Sequence, residues 1–144
     1  MMKITHFLKI AFFPLIAIIS ISCSENNEEW FTYQDENLNE ISIKVLSSEI
    51  IPGPENDNKD TIKVSMTWKN DADTDVSIDD EKFGLYVLDV RINPEEGFTT
   101  INLAGGEEKK ETYTFLVLRS IIDKATYKLV FEEWAELPIT PTKK

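Results

Sequence analysis

The fold is decided by the stretch Ile62–Lys69, IKVSMTWK, in which apolar and polar side chains alternate without a break. Successive side chains of a β-strand point to opposite faces, so a period of two is typical of a strand that buries one face. The predicted buried side consists of Ile62, Val64, Met66 and Trp68.

Similar patterns recur on both sides of this stretch. Alternation predicts strands at Ile41–Val45, Val76–Ile78, Tyr113–Val117 and Tyr127–Phe131, with Trp134 continuing the buried side of the last. Phe83–Ile92 is a longer apolar run that predicts a central strand buried on both faces, and Phe98–Leu103 predicts a weaker strand. Only Ser120–Ala125 favours a short turn of helix.

Polar turns separate these strands at Pro52–Asp60, Asn70–Asp75 and Ala104–Gly106. About seven strands in roughly 110 residues predict an all-β, immunoglobulin-like β-sandwich. The order of five segments resembles a known family: Trp68–Asp71 (WKND), Phe83–Asp89 (FGLYVLD), Ile101–Glu107 (INLAGGE), Tyr113–Val117 (YTFLV) and Tyr127–Phe131 (YKLVF). They are similar to the telokin-like domain of uncharacterised function that many bacterial lipoproteins carry. The resemblance covers about residues 40–134 and implies the fold, but no activity.

The first 22 residues have the pattern of an export signal. Lys3, His6 and Lys9 precede the apolar run Ile10–Ile19, which is shorter than the about 20 residues of a transmembrane helix and typical of a signal peptide. Ser20–Cys23 (SISC) follows and resembles the lipobox of bacterial lipoproteins, although Ser20 stands where an apolar residue is usual. The resemblance implies cleavage before Cys23 and acyl chains on its thiol.

The alternative is an ordinary secretory signal that leaves Cys23 as a free thiol. An unpaired cysteine is a liability in an oxidising compartment, and Cys23 is the only cysteine, so lipidation is the prediction. Acyl chains would anchor the protein to the membrane. Ser24–Glu29 (SENNEE) loosely resembles the acidic export tag of surface lipoproteins, which implies the outer membrane and exposure at the cell surface.

The predicted domain organisation has four parts. Residues 1–22 are the signal peptide, 23–40 the lipidated cysteine and a flexible acidic tether, 41–137 the sandwich and 138–144 a C-terminal tail. Trp30, Phe31 and Tyr33 interrupt the tether and are the predicted partner-binding residues. The alternative is that these rings pack as a first strand or cover an edge of the sandwich.

Charge and composition exclude several classes of function. The chain has 15 basic and 26 acidic side chains, and residues 1–22 hold two of the basic and none of the acidic ones. The remaining residues therefore carry a formal charge of −13, which disfavours nucleic-acid binding and polybasic membrane docking. The only histidine, His6, lies in the signal, so the mature chain has no histidine for nucleophilic catalysis or a zinc site.

Calcium is the one metal that the sequence suggests. Asp71, Asp73 and Asp75 alternate as in the first half of an EF-hand loop, but Val76 and Lys82 stand where glycine and a bidentate glutamate belong. We therefore expect no metal and no cofactor, while calcium binding by the Asp71–Asp75 loop remains open.

Paired carboxylates could be sought among Glu132, Glu133 and Glu136, or at Glu95 and Glu96. A chain this short offers no deep cleft to raise the pKa of one of them, so we expect no enzyme. The sequence favours a non-catalytic, lipid-anchored envelope protein that binds a protein or a glycan. The alternatives are a carbohydrate-binding accessory module, which predicts two coplanar exposed rings, and a small envelope hydrolase, which predicts two facing acids.

Overall fold

Period-two alternation gives rise to a nearly all-β chain. The structure, a computed structural model, describes residues 29–79, 81–95 and 100–144, so the predicted signal and Cys23 lie outside the described residues. The described strands are β1 (Phe31–Gln34), β2 (Glu40–Ile51), β3 (Lys59–Asn70), β4 (Val76–Ile78), β5 (Phe83–Val87), β6 (Val90–Ile92), β7 (Ile101–Leu103), β8 (Glu108–Leu118), β9 (Tyr127–Phe131), β10 (Ala135–Ile139) and β11 (Thr142–Lys143). One short helix, α1 (Arg119–Ile122), follows β8.

These strands form two main sheets and a small one. The first sheet has the order β1-β2-β3-β8, and β11 pairs with β2 in parallel. The second has the order β10-β9-β5-β6, and β4 pairs with β7 separately. The all-β sandwich that the alternation predicts is confirmed, with more strands in the described residues than the about seven expected.

The core lies between the two main sheets and is centred on Trp68. The predicted inward side chains of β3 are all fully buried. The Trp68 ring meets Phe83 and Phe131 of the second sheet edge-on, each with a centroid distance of 5.5 Å. Its Nε1 donates a 2.9 Å hydrogen bond to the buried Tyr113 hydroxyl, so the indole buries its area without an unpaired N–H.

The predicted tether is wrong from residue 31 onward. Phe31 and Tyr33 are buried in β1, which pairs with β2 through Phe31↔Ile43 and Tyr33↔Ile41. Their rings lie 6.0 and 5.1 Å from that of Phe131. Burial of these two aromatic side chains stabilises β1, although the acidic residues around it led to the prediction of a flexible tether.

The predicted C-terminal tail is also wrong, because β10 continues to Ile139 and β11 adds to the first sheet. Thr142 and Lys143 pair in parallel with Glu49 and Ile50 of β2. Backbone N–H and C=O groups on this edge of β2 thereby find hydrogen-bond partners in β11, although the sequence of residues 142–143 shows no alternation that would predict a strand.

The apolar run predicted as one central strand is a hairpin. β5 ends at Val87, which pairs with Val90 of β6 across a turn formed by Leu88 and Asp89. Both turn residues have positive φ, 50° and 65°, as a two-residue hairpin of the tightest type requires. Only the β5 half lies in the middle of the second sheet, between β9 and β6.

Trp134 is exposed, contrary to the prediction that it continues the buried side of β9. β9 ends at Phe131 because Glu132 and Glu133 both have positive φ, 58° and 77°. The chain reverses there, and Ala135 takes the position opposite Phe131.

Three smaller predictions can be compared directly. Val76–Ile78 is a strand, as predicted, and the weaker strand is present as Ile101–Leu103, whereas Phe98 and Thr99 lie outside the described residues. The short helix is present as α1. In the described part of the chain, no helix has the length and apolar content needed to cross a membrane.

Candidate functional site

Three connections meet at one end of the sandwich, which we call the loop end. It consists of Asp35–Asn39 between β1 and β2, Lys82 before β5, and Glu132–Trp134 between β9 and β10. Hydrogen bonds and ion pairs described below join these three segments. Loops on a rigid sandwich are where binding residues concentrate, so this end is the first candidate surface.

The first loop is held by a buried carboxylate. Asp35 Oδ1 accepts hydrogen bonds from the backbone N–H groups of Asn37 and Asn39, at 2.9 and 2.8 Å, and Oδ2 accepts one from Asn39 Nδ2 at 3.0 Å. This arrangement is the usual way in which an aspartate closes a turn. The closed loop presents Leu38 with a φ of 64° and 70% of its surface exposed.

Lys82 links the first loop to the turn after β9. Its Nζ lies 2.5 Å from Glu36 Oε1 and 3.5 Å from Glu132 Oε2, and its carbonyl oxygen accepts a 3.0 Å hydrogen bond from the Glu132 N–H. The hydrogen bond with Glu36 is the main reason that the pKa of Lys82 is raised. Burial raises the pKa of Glu132, because the loss of hydration outweighs the attraction of Lys82.

The most exposed aromatic side chain of the loop end is held in place by the backbone. Trp134 is 57% exposed, and its Nε1 donates a 3.1 Å hydrogen bond to the carbonyl oxygen of Gln34. The ring is therefore fixed across the end of β1 while most of its surface faces solvent. A large, preorganised ring loses little conformational entropy on binding.

Backbone strain is concentrated in the same place. Leu38, Glu132 and Glu133 have positive φ, and three of the five described non-glycine residues with this conformation are therefore in the loop end. Such residues cost free energy and persist only where the surrounding contacts hold them, which is common at functional sites.

The three predicted partner-binding residues do not form one surface. Phe31 and Tyr33 are buried in the core, so their assignment as partner-binding residues is wrong and the alternative of a first strand is correct. Burial raises the pKa of Tyr33, and its hydroxyl lacks a hydrogen-bond partner among the described residues. Trp30 is 38% exposed and lies away from the core, with Lys69 Nζ 5.6 Å from its ring centroid.

The acidic loop considered for calcium is held by protein groups. Asp71 accepts a hydrogen bond from Ser42 Oγ and lies 3.4 Å from Lys69 Nζ. The Asn70 side chain donates to the carbonyl oxygens of Thr74 and Leu103, at 2.7 and 3.1 Å, which fixes the loop beside β7. No three carboxylates, histidines or cysteines of the described residues are grouped so that they could hold a metal ion.

The acids considered for hydrolysis are held separately. Glu132 is buried beside Lys82, whereas Glu136 lies on the outer face of the second sheet and accepts a 2.9 Å hydrogen bond from Lys128. Glu95 donates its backbone N–H to the Thr114 carbonyl oxygen, and Glu96 lies outside the described residues. The structure therefore does not bring Glu132 and Glu136 together as a facing pair.

Sequence reasoning missed Trp134 and Lys82 as parts of one site. The available signal was the pair Glu132-Glu133 directly after an alternating strand, since two charged residues in succession break the period of two. Nothing in the local sequence indicates that Lys82, fifty positions earlier, reaches this turn.

Comparison with known proteins supports the fold. Neither a protein-family model nor a curated protein matches this chain. A solved structure of a conserved hypothetical protein from Bacillus anthracis is similar, with 12% identity and a TM-score of 0.52 over 81% of this chain and 94% of that chain. A Bacillus subtilis protein provisionally described as a lipoprotein is similar with 17% identity and a TM-score of 0.50, over 71% of this chain and 33% of that chain.

This chain thus spans about a third of the Bacillus subtilis protein and nearly all of the Bacillus anthracis chain. At such low identity the likeness shows a shared all-β fold, and function has to be argued from the site.

Proposed function

We propose that this protein is a non-catalytic, lipid-anchored protein of the outer membrane that binds a protein partner through its loop end. The anchor is supported by the lipobox-like Ser20–Cys23, which follows a signal-like segment, and by the similarity to a chain described as a lipoprotein. Two or more acyl chains on Cys23 would hold the protein stably at the membrane.

We also propose that the sandwich is immunoglobulin-like, and two observations support this. The strand orders β2-β3-β8 and β6-β5-β9-β10 correspond to the two sheets of that fold in sequence order. Tyr127 begins β9, and its hydroxyl donates a 2.7 Å hydrogen bond to the carbonyl oxygen of Ile122, five residues upstream. This geometry matches the tyrosine corner that is typical of the fold.

The observation that carries the binding proposal is the exposed Trp134 on a braced turn. Tryptophan is enriched among the residues that contribute most to binding at protein interfaces. Trp134 and Leu38 belong to the same loop end, and Lys82 ties their two loops together through Glu36 and Glu132. In variable immunoglobulin domains, loops at one end of the sandwich likewise form the binding surface.

A protein partner is favoured over a glycan. Glycan binding calls for two coplanar exposed rings, whereas Trp134 has no ring contact in the described part of the chain and donates to a backbone carbonyl instead. The described ring contacts join buried residues such as Tyr33, Trp68 and Phe131.

The test is site-specific photo-cross-linking in living cells. A photoreactive aromatic residue in place of Trp134 should yield a defined cross-linked protein, and the same residue in place of Leu88, an exposed apolar residue of the β5–β6 turn, should not. Trp134→Ala should weaken retention of that partner at least about tenfold, as for a central interface residue. The melting temperature should change little, because the side chain is exposed.

Equal cross-linking at both positions would contradict the loop end as the binding surface. Binding of an isolated glycan that is lost in Trp134→Ala would favour the carbohydrate-binding alternative.

A further inference from the structure

The outer face of the first sheet has a charge opposite to that of the whole protein. Because Ile62, Val64, Met66 and Trp68 face the core, the residues that alternate with them face outward. Strand register extends this outward side across β2, β3 and β8. We call it the lysine face, and its members are Trp30, Lys44, Lys59, Lys63, Lys69, Lys110, Leu116 and Leu118.

Most of these lysines are not neutralised. Lys69 lies 3.4 Å from Asp71, but Lys44, Lys59, Lys63 and Lys110 form no ion pair with any described carboxylate. The other acids on this side are Glu40 at the start of β2, Glu49, which pairs with Lys144 at 3.2 Å, and Glu108, which lies opposite Lys69. With Asp71 these are four acids against the five lysines of the face and Lys144, so the local charge is about +2 on a chain of net charge −11.

Exposed apolar side chains lie among the lysines. Leu116 and Leu118 of β8 are 40% and 44% exposed, and they pair with Thr61 and Lys59 of β3. At the other end of the face, the Trp30 ring lies near Lys44 and Lys69, whose Nζ atoms are 6.0 and 5.6 Å from its centroid. Lysine beside tryptophan and leucine is the composition that suits the boundary between lipid headgroups and acyl chains.

The position of Trp30 in the chain links this face to the anchor. Trp30 follows Cys23 by seven residues, a length of chain that spans at most about 25 Å. A protein with acyl chains on Cys23 would therefore keep this side of the sandwich within reach of the bilayer surface.

We propose that the lysine face lies on the anionic phospholipid headgroups of the membrane that holds the anchor. This inference rests on the lipid anchor proposed above. The acidic side chains that dominate the net charge do not prevent it, because salt screens interactions beyond about 10 Å. A basic surface that acts together with acyl chains supplies the second contact that stable and oriented membrane binding requires.

The test is a lysine-acetylation footprint of the lipidated full-length protein in vesicles. The vesicles are phosphatidylcholine alone or phosphatidylcholine mixed with phosphatidylglycerol, and a water-soluble acetylating reagent reports the accessibility of each lysine by mass spectrometry. In the anionic vesicles, acetylation of Lys63 and Lys110 should fall about fivefold relative to neutral vesicles and recover in high salt. Lys124 and Lys143, which are outside the face, should be acetylated equally in both.

Matched variants complete the test. Lys63→Gln with Lys110→Gln should abolish the protection of Lys44 in anionic vesicles, whereas Lys124→Gln with Lys143→Gln removes the same charge elsewhere and should preserve it. Equal acetylation of Lys63 in both vesicles would overturn this proposal alone. Protection that instead grows with protein density in neutral vesicles would also overturn it, because a second copy would then cover the face. A protein that associates with neither vesicle would overturn the lipid anchor as well.

Discussion

Tyr127 shows how a single side chain fixes the connection between the two sheets. Its hydroxyl is buried and donates to the carbonyl oxygen of Ile122 at the end of α1, where no helical partner is available. Burial raises the pKa of Tyr127, as expected for a phenol removed from water. The same side chain that begins β9 thus holds the chain segment that leaves β8.

The first prediction removes this hydrogen bond alone. Tyr127→Phe should lower the free energy of unfolding by about 1–3 kcal/mol, because the buried carbonyl oxygen of Ile122 loses its partner. Tyr86→Phe is the matched control on the outer face of the second sheet and should change it by less than about 0.5 kcal/mol. Urea unfolding measures both, and an equal effect of the two substitutions would show that the Tyr127 hydroxyl contributes nothing specific.

The second prediction concerns the pH dependence of Glu132. Because burial raises its pKa, the folded protein binds this proton more tightly than the unfolded chain does. The stability contributed by the neutral carboxyl is therefore present at low pH and is lost as the pH rises from the ordinary carboxyl range through the raised pKa.

Glu132→Gln should accordingly be more stable than the wild type at neutral pH, with a difference that disappears below about pH 4. Glu133→Gln, at the exposed neighbouring position with similar backbone geometry, should show no such dependence. Thermal unfolding across this pH range provides the measurement. If the stability gained in Glu132→Gln were the same at every pH, the raised pKa of Glu132 could not be its cause.

At the scale of elements, the short connections set where strands end. Phe83–Ile92 has enough apolar residues for one strand, yet Leu88 and Asp89 turn the chain back at Val90. This turn allows β5 to pair with β6 in antiparallel, so that the backbone groups on the second side of β5 are also hydrogen-bonded. The conformational cost falls on two non-glycine residues with positive φ.

The third prediction relieves this cost. Leu88→Asn combined with Asp89→Gly should raise the free energy of unfolding by about 1 kcal/mol, since these residues adopt positive φ more readily. The opposite case is Gly106→Ala, at a φ of 78° with open space around the position, which should destabilise through the backbone alone. Melting temperatures measure both effects. A lower melting temperature of the Asn-Gly variant would show that positive φ at Leu88 and Asp89 does not destabilise the turn.

At the scale of the whole molecule, the lysine face and the proposed anchor concern the same side of the sandwich. Acidic residues dominate the composition, whereas the lysine face gives one side of the sandwich the opposite sign. The linker to that side is short, because β1 already begins at Phe31 and leaves seven residues between Cys23 and the first strand. With the proposed acyl chains on Cys23, a linker this short would restrict how far the domain can move from the bilayer.

The fourth prediction tests the anchor. Cys23→Ala should move the exported protein from the membrane pellet to the soluble fraction, because no acyl chain can then be attached. Ser24→Ala changes the adjacent residue and should leave the protein in the pellet. Fractionation followed by mass spectrometry of the N-terminal peptide would detect the acyl chains directly, and a wild-type protein without them would contradict the lipobox interpretation.

Local pattern predicted the core far better than it predicted the candidate site. The inward positions of β3 follow from alternation alone, as for Met66 and Trp68. The pattern wrongly predicted a buried Trp134, because it extended the alternation of β9 through Glu132 and Glu133, whose positive φ angles reverse the chain. Lys82 and Glu132 could not be paired from the sequence, because their contact depends on how β5 and β9 align in the folded sheet.

The sequence by itself determined that the chain is an all-β sandwich, because side-chain alternation is a property of neighbouring residues. Only the tertiary structure decided which alternations reach the core. Tyr33 is buried because β1 pairs with β2, and Lys63 and Lys110 share a face because β3 pairs with β8 in one particular register. Register depends on backbone hydrogen bonds between segments that are distant in the chain, so the composition of a surface emerges only when the sheets are assembled.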